Sequence, residues 1–193
     1  MKKPNEEKYP SPWQILRSEA GPDLKLFRVR YDWYKNPRNN KDLKRLVLET
    51  VDWVNIVAIT AEKKIVVVHQ YRFGTGKIAT EIPGGVLEAQ ESPQQAAMRE
   101  LQEETGYTSS SWYYLGAVEP NPAFHTNLCH HWLAERVRKT HTPMLDEGED
   151  ITVETLDFEE IRTAIKSGQI KHALALSALS RINELWTGFL PGR

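Results

Sequence analysis

Glu100, Glu103 and Glu104 stand within five residues of one another, directly behind Arg99, with Glu88 and Glu91 upstream and Gly84-Gly85 before them. At about 100° per residue the three glutamates share one side of a helix. Like charges at these spacings repel by a few tenths of a kcal/mol per pair. A fully solvated acidic face would tolerate that repulsion. A hard divalent cation would convert it into coordination, because magnesium and manganese prefer oxygen ligands. The neighbours favour the cation. Gly84 and Gly85 allow a tight backbone turn that aims a carbonyl at an ion, and Arg99 can hold a carboxylate in one rotamer.

The elements that must position these groups are well marked. Ser92 is a good N-cap, Pro93 suits the first helical position, Gln95 completes a capping box, and Gly106 supplies a left-handed stop. Upstream, "WQILRSEA" and "LKLFRVRYDWY" alternate as half-exposed strands, and "NPRNNKD" breaks the chain. The β-branched runs "LVLETVDWVNIVAIT" and "KIVVVHQYRF", joined by the short link 61–63, predict a hairpin, and "GTGK" at 74–77 reads as a loop. Beyond the helix, "WYYLGAVEP", "NLCHHWLAERV" and "TVETLD" read as strands, with the acidic segment "LDEGEDI" before the last. Helices are expected over roughly Phe158–Lys166 and, as one piece, Ile170–Trp186. Strands with helices inserted singly predict an α+β or α/β/α layering.

The chain has 193 residues, 40% hydrophobic and 26% charged, with a formal net charge of −1. That composition suits a globular protein with a real core and lacks the basic footprint of a nucleic-acid or anionic-membrane binder. Residues 1–12 read as a loose polar arm without a signal sequence, and no apolar run approaches the roughly 20 residues that span a bilayer. A reducing cytoplasm is the expected compartment. The single cysteine, Cys129, excludes an intrachain disulfide and a multi-cysteine zinc cluster, and is expected to be a buried small residue. His130 and His131 are adjacent in a strand, point to opposite faces and cannot easily share an ion. His125, beside the "NPAF" turn, is a further candidate for contact with a substrate.

The stretch from Gly85 through Glu91, Arg99-Glu100-Leu101, Glu103-Glu104 and Gly106 to Tyr107 resembles the Nudix box at every defined position, with Tyr107 standing where an aliphatic residue is more usual. The resemblance implies the Nudix fold, an α/β/α sandwich around a mixed sheet, and a metal-dependent hydrolase of nucleoside diphosphates linked to a further group. It implies Mg2+, or Mn2+, on Glu100, Glu103 and Glu104 with the Gly84 carbonyl as a further ligand. Arg99 would orient the cluster and Glu91 would stabilise the loop.

The flanks, "DWVNIVAIT", "VVHQYRFGTGKIATEIPGG", Pro122 and "DEGEDI", are similar to the branch that cleaves ADP-ribose and other nucleoside diphosphate sugars. In that branch a late acidic loop carries the general base. Here Glu147 falls at the base position and Glu149 at a metal-proximal one, and the sequence does not separate the two. Arg72 takes the place of a phosphate- or ribose-contacting arginine, although it could equally pair with a sheet-edge carboxylate. Glu81 is expected as an extra metal-site group or a partner of Arg99, and Trp53 and Tyr71 are candidates for stacking on a base, although an aromatic in a strand is more often core. Residues 1–44 exceed a minimal Nudix domain, expected over 45–193. In the resembling enzymes such an extension of strands forms a homodimer that completes the cleft. Hydrolysis of nucleoside triphosphates or dinucleoside polyphosphates is the alternative, and a non-catalytic nucleotide-sugar-binding regulator a more distant one.

Overall fold

Two long β-branched runs organise the chain. In the computed structural model, which describes residues 9–186, Trp53–Thr60 and Ile65–Arg72 form neighbouring antiparallel strands. Val54, Ile56 and Ala58 alternate with Val57 and Ile59, and all are buried, so both faces of this strand pair must be covered. Residues 1–8 of the expected N-terminal arm lie outside the described residues.

Packing divides the chain into two units, Met1–Thr50 with Asn121–Asn127 and Val51–Pro120 with Leu128–Arg193. The division falls at residue 50 rather than after residue 44, because the third strand stays with the first two. The smaller unit is an antiparallel sheet of β1 (Gln14–Asp23), β2 (Arg28–Lys35) and β3 (Asp42–Glu49) in that order. Its pivot is Asp32, fully buried, whose Oδ1 and Oδ2 accept from Arg30 Nε and Nη2 at 2.9 and 3.0 Å. The segment 121–127 joins it through Leu48, whose N–H donates to Phe124 O and whose carbonyl accepts from Thr126 N. His125 packs there at 5.3 Å from the Phe27 ring and 4.9 Å from Phe124, so its ring is spent on this unit.

The larger unit holds β4 (Trp53–Thr60), β5 (Ile65–Arg72), β6 (Lys77–Glu81), β7 (Gly84–Val86), α1 (Pro93–Thr105), β8 (Tyr107–Thr108), β9 (Ser111–Val118), β10 (Cys129–Lys139), β11 (Ile151–Leu156), α2 (Phe158–Ser167), α3 (Ala173–Leu179) and α4 (Asn183–Trp186). Its eight-stranded sheet runs β11-β5-β4-β10-β8, with β6 on β5, β7 on β4 and β9 on β10. The β4–β10 pair is parallel and the rest antiparallel. Ala96, Ala97 and Leu101 of α1 cover Val54, Ile56, Ala58 and Ala134 on one face. Ile161, Ala164, Ala175, Leu179 and Leu185 cover Val57, Ile59, Ile65 and Val67 on the other. This is the expected α+β sandwich, built as the Nudix fold.

The C-terminal helix is two helices rather than one. At Ser180–Ile182 the hydrogen bonds tighten to three-residue spacing, Arg181 N to Ala178 O and Ile182 N to Leu179 O. The break turns both Ile182 and Leu185 into the core. The short strands β6 and β7, too small to carry a periodic signal, are additions to the sequence reading.

Candidate active site

The helix that carries the glutamates starts and stops where its capping residues dictate. Ser92 N–H donates to Gln95 Oε1 at 2.9 Å, Gln95 N–H donates to Ser92 Oγ at 3.3 Å, and Gly106 adopts φ 74° at the C-terminus. Helical spacing then brings Glu100 and Glu104 inward, at 8% and 3% exposure.

Arg99 binds the acidic residues together. Its Nε and Nη2 form a bidentate pair with Glu91, both at 2.9 Å, while Nη1 donates to Glu100 Oε1 at 2.9 Å and Glu103 Oε2 at 3.0 Å. Nη2 also donates to the Val86 carbonyl at 3.0 Å. The Glu91 contact, followed by Glu100 and Glu103, holds the guanidinium above its already high value. Glu91 in turn accepts from Glu88 N at 3.0 Å, closing the loop as its place in the box implies.

Gly84 and Gly85 act by close approach, not by turning. They lie in β7, paired with Asn55 and Val54, and neither has a positive φ. A Cβ on Gly84 would stand 2.2 Å from the Val54 carbonyl oxygen, and one on Gly85 would stand 2.1 Å from Glu100 Oε1. The Gly84 N–H donates to Glu104 Oε2 at 3.0 Å.

Burial pushes Glu104 up to about 8, against the opposing Gly84 hydrogen bond, and Glu100 and Glu149 add to the rise. Burial also raises Glu100, with Arg99 opposing. Two buried carboxylates under mutual repulsion, with oxygen as the only donor type, fit a hard divalent cation. Among the described residues no three His, Cys, Asp or Glu side chains form a preformed ion cage; Arg99 stands between Glu100 and Glu103 instead.

Of the acidic loop's two glutamates, Glu149 is the one electrostatically coupled to this centre. Glu149 repels Glu100 and Glu104 and attracts Arg72, whereas Glu147 enters none of these interactions. The Glu149 carboxylate accepts from Asp146 N at 3.0 Å. The root of the loop is tied to α1: Thr140 N and His141 N donate to Gly106 O, and Met144 N to Glu103 O.

Arg72 makes a bidentate pair with buried Glu81, Nε to Oε1 at 3.0 Å and Nη2 to Oε2 at 2.9 Å. Glu81 is therefore not an Arg99 partner, because β6 carries it alongside β5 and Arg72 reaches it first. His172 Nδ1 also lies 3.0 Å from Glu81 Oε2. Burial alone would raise Glu81; His172 and Arg72 overcome it and hold the carboxyl at about 2. The sequence reading missed His172, which no local pattern marks. Tyr71 is 47% exposed, as a ligand-facing ring needs to be, whereas Trp53 is half-buried in β4.

The remaining residues have structural tasks. Cys129 is buried, its thiol pushed up to about 12 by burial, and it donates to Asn55 Oδ1 at 3.3 Å. His131 is fully buried, while His130 faces Asp52 at 3.0 Å and Tyr114 at 3.0 Å, so the two do point apart.

The NUDIX domain pattern matches residues 50–177. The chain belongs to the Nudix family. It is a hydrolase of that family, in its ADP-ribose pyrophosphatase branch. It is 30% identical over 183 residues to the ADP-ribose pyrophosphatase of Mycobacterium tuberculosis, covering 94% of this chain and 88% of that one. It is 36% identical over 133 residues to the methanol dehydrogenase activator of Bacillus methanolicus, covering 68% of this chain and 72% of that one. The crystal structure of an ADP compounds hydrolase superposes with a TM-score of 0.80 at 21% identity, over 94% of this chain and 97% of that one, and carries the fold alone. Among the described residues no helix of this Nudix protein is long and apolar enough to cross a membrane.

Proposed function

We propose that this Nudix chain hydrolyses ADP-ribose or another nucleoside diphosphate sugar to a nucleoside monophosphate and a sugar phosphate, in the presence of Mg2+ or Mn2+. The observation that carries this reading is the pairing of opposite tasks in one place. Buried Glu100 and Glu104 supply an oxygen site for a cation, and the Arg72 guanidinium is attracted to Glu104 and to Glu149. A pyrophosphate is served by both, a cation that would neutralise its charge and a positioned guanidinium beside it.

Glu100, Glu103, Glu104 and the Gly84 carbonyl would hold the ion, which supplies charge neutralisation and an acidified water when bound. Arg99 keeps Glu100 and Glu103 in fixed rotamers, and Arg72 orients the phosphates. Glu149, electrostatically coupled to the cluster, takes the proton from the attacking water, and Glu147 is assigned no contact with it. Trp53 and Tyr71 offer the ring surfaces for a base. The Mycobacterium tuberculosis relative, matched along nearly the whole chain, supports the ADP-ribose class.

A homodimer is part of the same proposal. Trp13 and Ile15 at the open end of the β1–β2 hairpin and Leu24 and Leu26 at its turn are 40–57% exposed, apolar side chains that a second copy would cover. A light-scattering mass near the 22.2 kDa of one chain would refute it.

The relative named as an activator of another enzyme is the one observation favouring a regulatory reading. One product assay separates them: the chain, magnesium and a panel of ADP-ribose, UDP-glucose, GDP-mannose, diadenosine polyphosphates and nucleoside triphosphates, with products resolved by ion exchange. Monophosphate plus sugar phosphate supports the proposal. Cleavage confined to triphosphates or polyphosphates overturns the substrate class, and no cleavage of any substrate overturns catalysis.

A further inference from the structure

We infer that His172 is a positioning residue for Arg72, acting through Glu81. It ties the junction of α2 and α3 to the phosphate-binding side of the site. The inference rests on the reading above that Arg72 contacts the substrate's phosphates.

His172 occupies the N-cap of α3, a position that favours Ser, Thr, Asp or Asn, and its side chain makes no capping hydrogen bond. The imidazole turns away from the helix and places Nδ1 3.0 Å from Glu81 Oε2. The approach lies off the axis of an aligned hydrogen bond, so the contact is a close polar approach of the ring nitrogen to the carboxylate oxygen. Beside it, Gln169 Nε2 reaches Thr80 Oγ1 at 3.4 Å, so two residues of the α2–α3 junction meet two consecutive residues of β6.

Glu81 is the middle of the chain of contacts. It is 3% exposed, and both of its oxygens are committed to Arg72. A buried carboxylate with one partner could still swing about its last torsion, which is broad for a glutamate. His172 on the far side of Oε2 closes that freedom. With Glu81 pinned, Nε and one hydrogen of Nη2 are committed, and the remaining donors of Arg72 are left for the phosphates. Arg72 itself sits at the end of a strand with its side chain 45% exposed, too open for packing alone to hold the fork.

A residue serving α3 only would change stability. One that aims Arg72 changes substrate binding, because an arginine equally engaged in the ground and transition states moves KM and not kcat. The test compares His172→Phe, which removes the polar contact, with His172→Asn, which restores a donor near the place of Nδ1. Two quantities are read in each variant. One is KM and kcat for ADP-ribose with magnesium. The other is the Arg72 Nε–Hε resonance in arginine-labelled protein, identified by its loss in Arg72→Lys. The expected result is a KM raised about tenfold in His172→Phe, with kcat within about twofold, a shifted Arg72 resonance, and recovery of both in His172→Asn. If His172→Phe melts early, His172→Leu provides the same comparison with a smaller side chain that also lacks a polar atom.

An unmoved Arg72 resonance in a folded variant overturns the inference. So does an unchanged KM beside a moved resonance. If the wild-type chain leaves ADP-ribose uncut, the substrate reading fails by itself, and the resonance still decides whether His172 positions Arg72.

Discussion

Replacing Glu104 by glutamine should make the metal-free protein more stable while removing most of its turnover. The folded carboxyl sits at about 8 against an ordinary 4.5, with burial as the main cause. The folded form therefore holds a proton that the unfolded form releases. Its advantage is complete below pH 4.5 and is lost as the pH climbs to about 8. At pH 7 the folded carboxyl is still mostly protonated, and taking up a proton that the unfolded chain has released costs the fold about 3 kcal/mol relative to a side chain neutral in both states, at roughly 1.36 kcal/mol per pH unit above 4.5. Glutamine is neutral at every pH and keeps an oxygen to accept the Gly84 N–H. For a domain of this size the gain corresponds to a melting temperature raised by about 6–12 °C. Calorimetry in EDTA at pH 7.5 and pH 4.5 tests both parts. The gain should be large at pH 7.5 and nearly absent at pH 4.5, and saturating magnesium should narrow it by stabilising the wild type. A glutamine variant less stable than wild type in EDTA at pH 7.5, or a gain that ignores pH, would refute the reasoning.

Other perturbations separate fold from function. Gly85→Ala drives a methyl into the Glu100 carboxylate and should lower kcat/KM about 10–100-fold with a near-normal melt, because a side-chain end can yield. Gly84→Ala meets the Val54 carbonyl oxygen instead and should lower the melting temperature by more than Gly85→Ala does in the same scan. Glu149→Gln should slow turnover at least tenfold and Glu147→Gln by less than twofold in matched kinetics; the reverse order would exchange their roles. Asp32→Asn should destabilise by about 1–2 kcal/mol in urea unfolding, since Arg30 lies in a thin sheet where water reaches a third of it. Arg30 holds Asp32 below its usual value, so this stabilisation exists above the unfolded pKa and fades as the pH falls through the folded one.

Local chemistry was legible wherever it was written in adjacent residues. Ser92, Pro93, Gln95 and Gly106 predict α1 to the residue, because capping depends on the chain itself. The glutamates follow from helical spacing. What lay beyond reach depends on contacts far apart in sequence. Arg72 and Glu81 meet only because β6 folds back on β5, and His172 reaches them from 91 positions beyond Glu81, with no periodic signature. Gly84 and Gly85 were legible as glycines but not for their reason, since close approach is a property of the assembled sheet and only turning is a property of the residue. The C-terminal helix broke at Ser180–Ile182 because packing of Ile182 and Leu185 outweighed a continuous 3.6-residue pattern.

The bonds from Thr140, His141 and Met144 to the end of α1 make a fixed mooring, and Glu149 hangs five residues beyond Met144. Five residues reach at most about 17 Å, so the carboxylate searches a small volume around the very helix that carries Glu100, Glu103 and Glu104. It behaves like a solute confined at millimolar concentration or above. Its encounter with the site is then set by tether length, and under the role proposed for Glu149 above, lengthening the loop after Met144 should dilute the carboxylate without altering its chemistry.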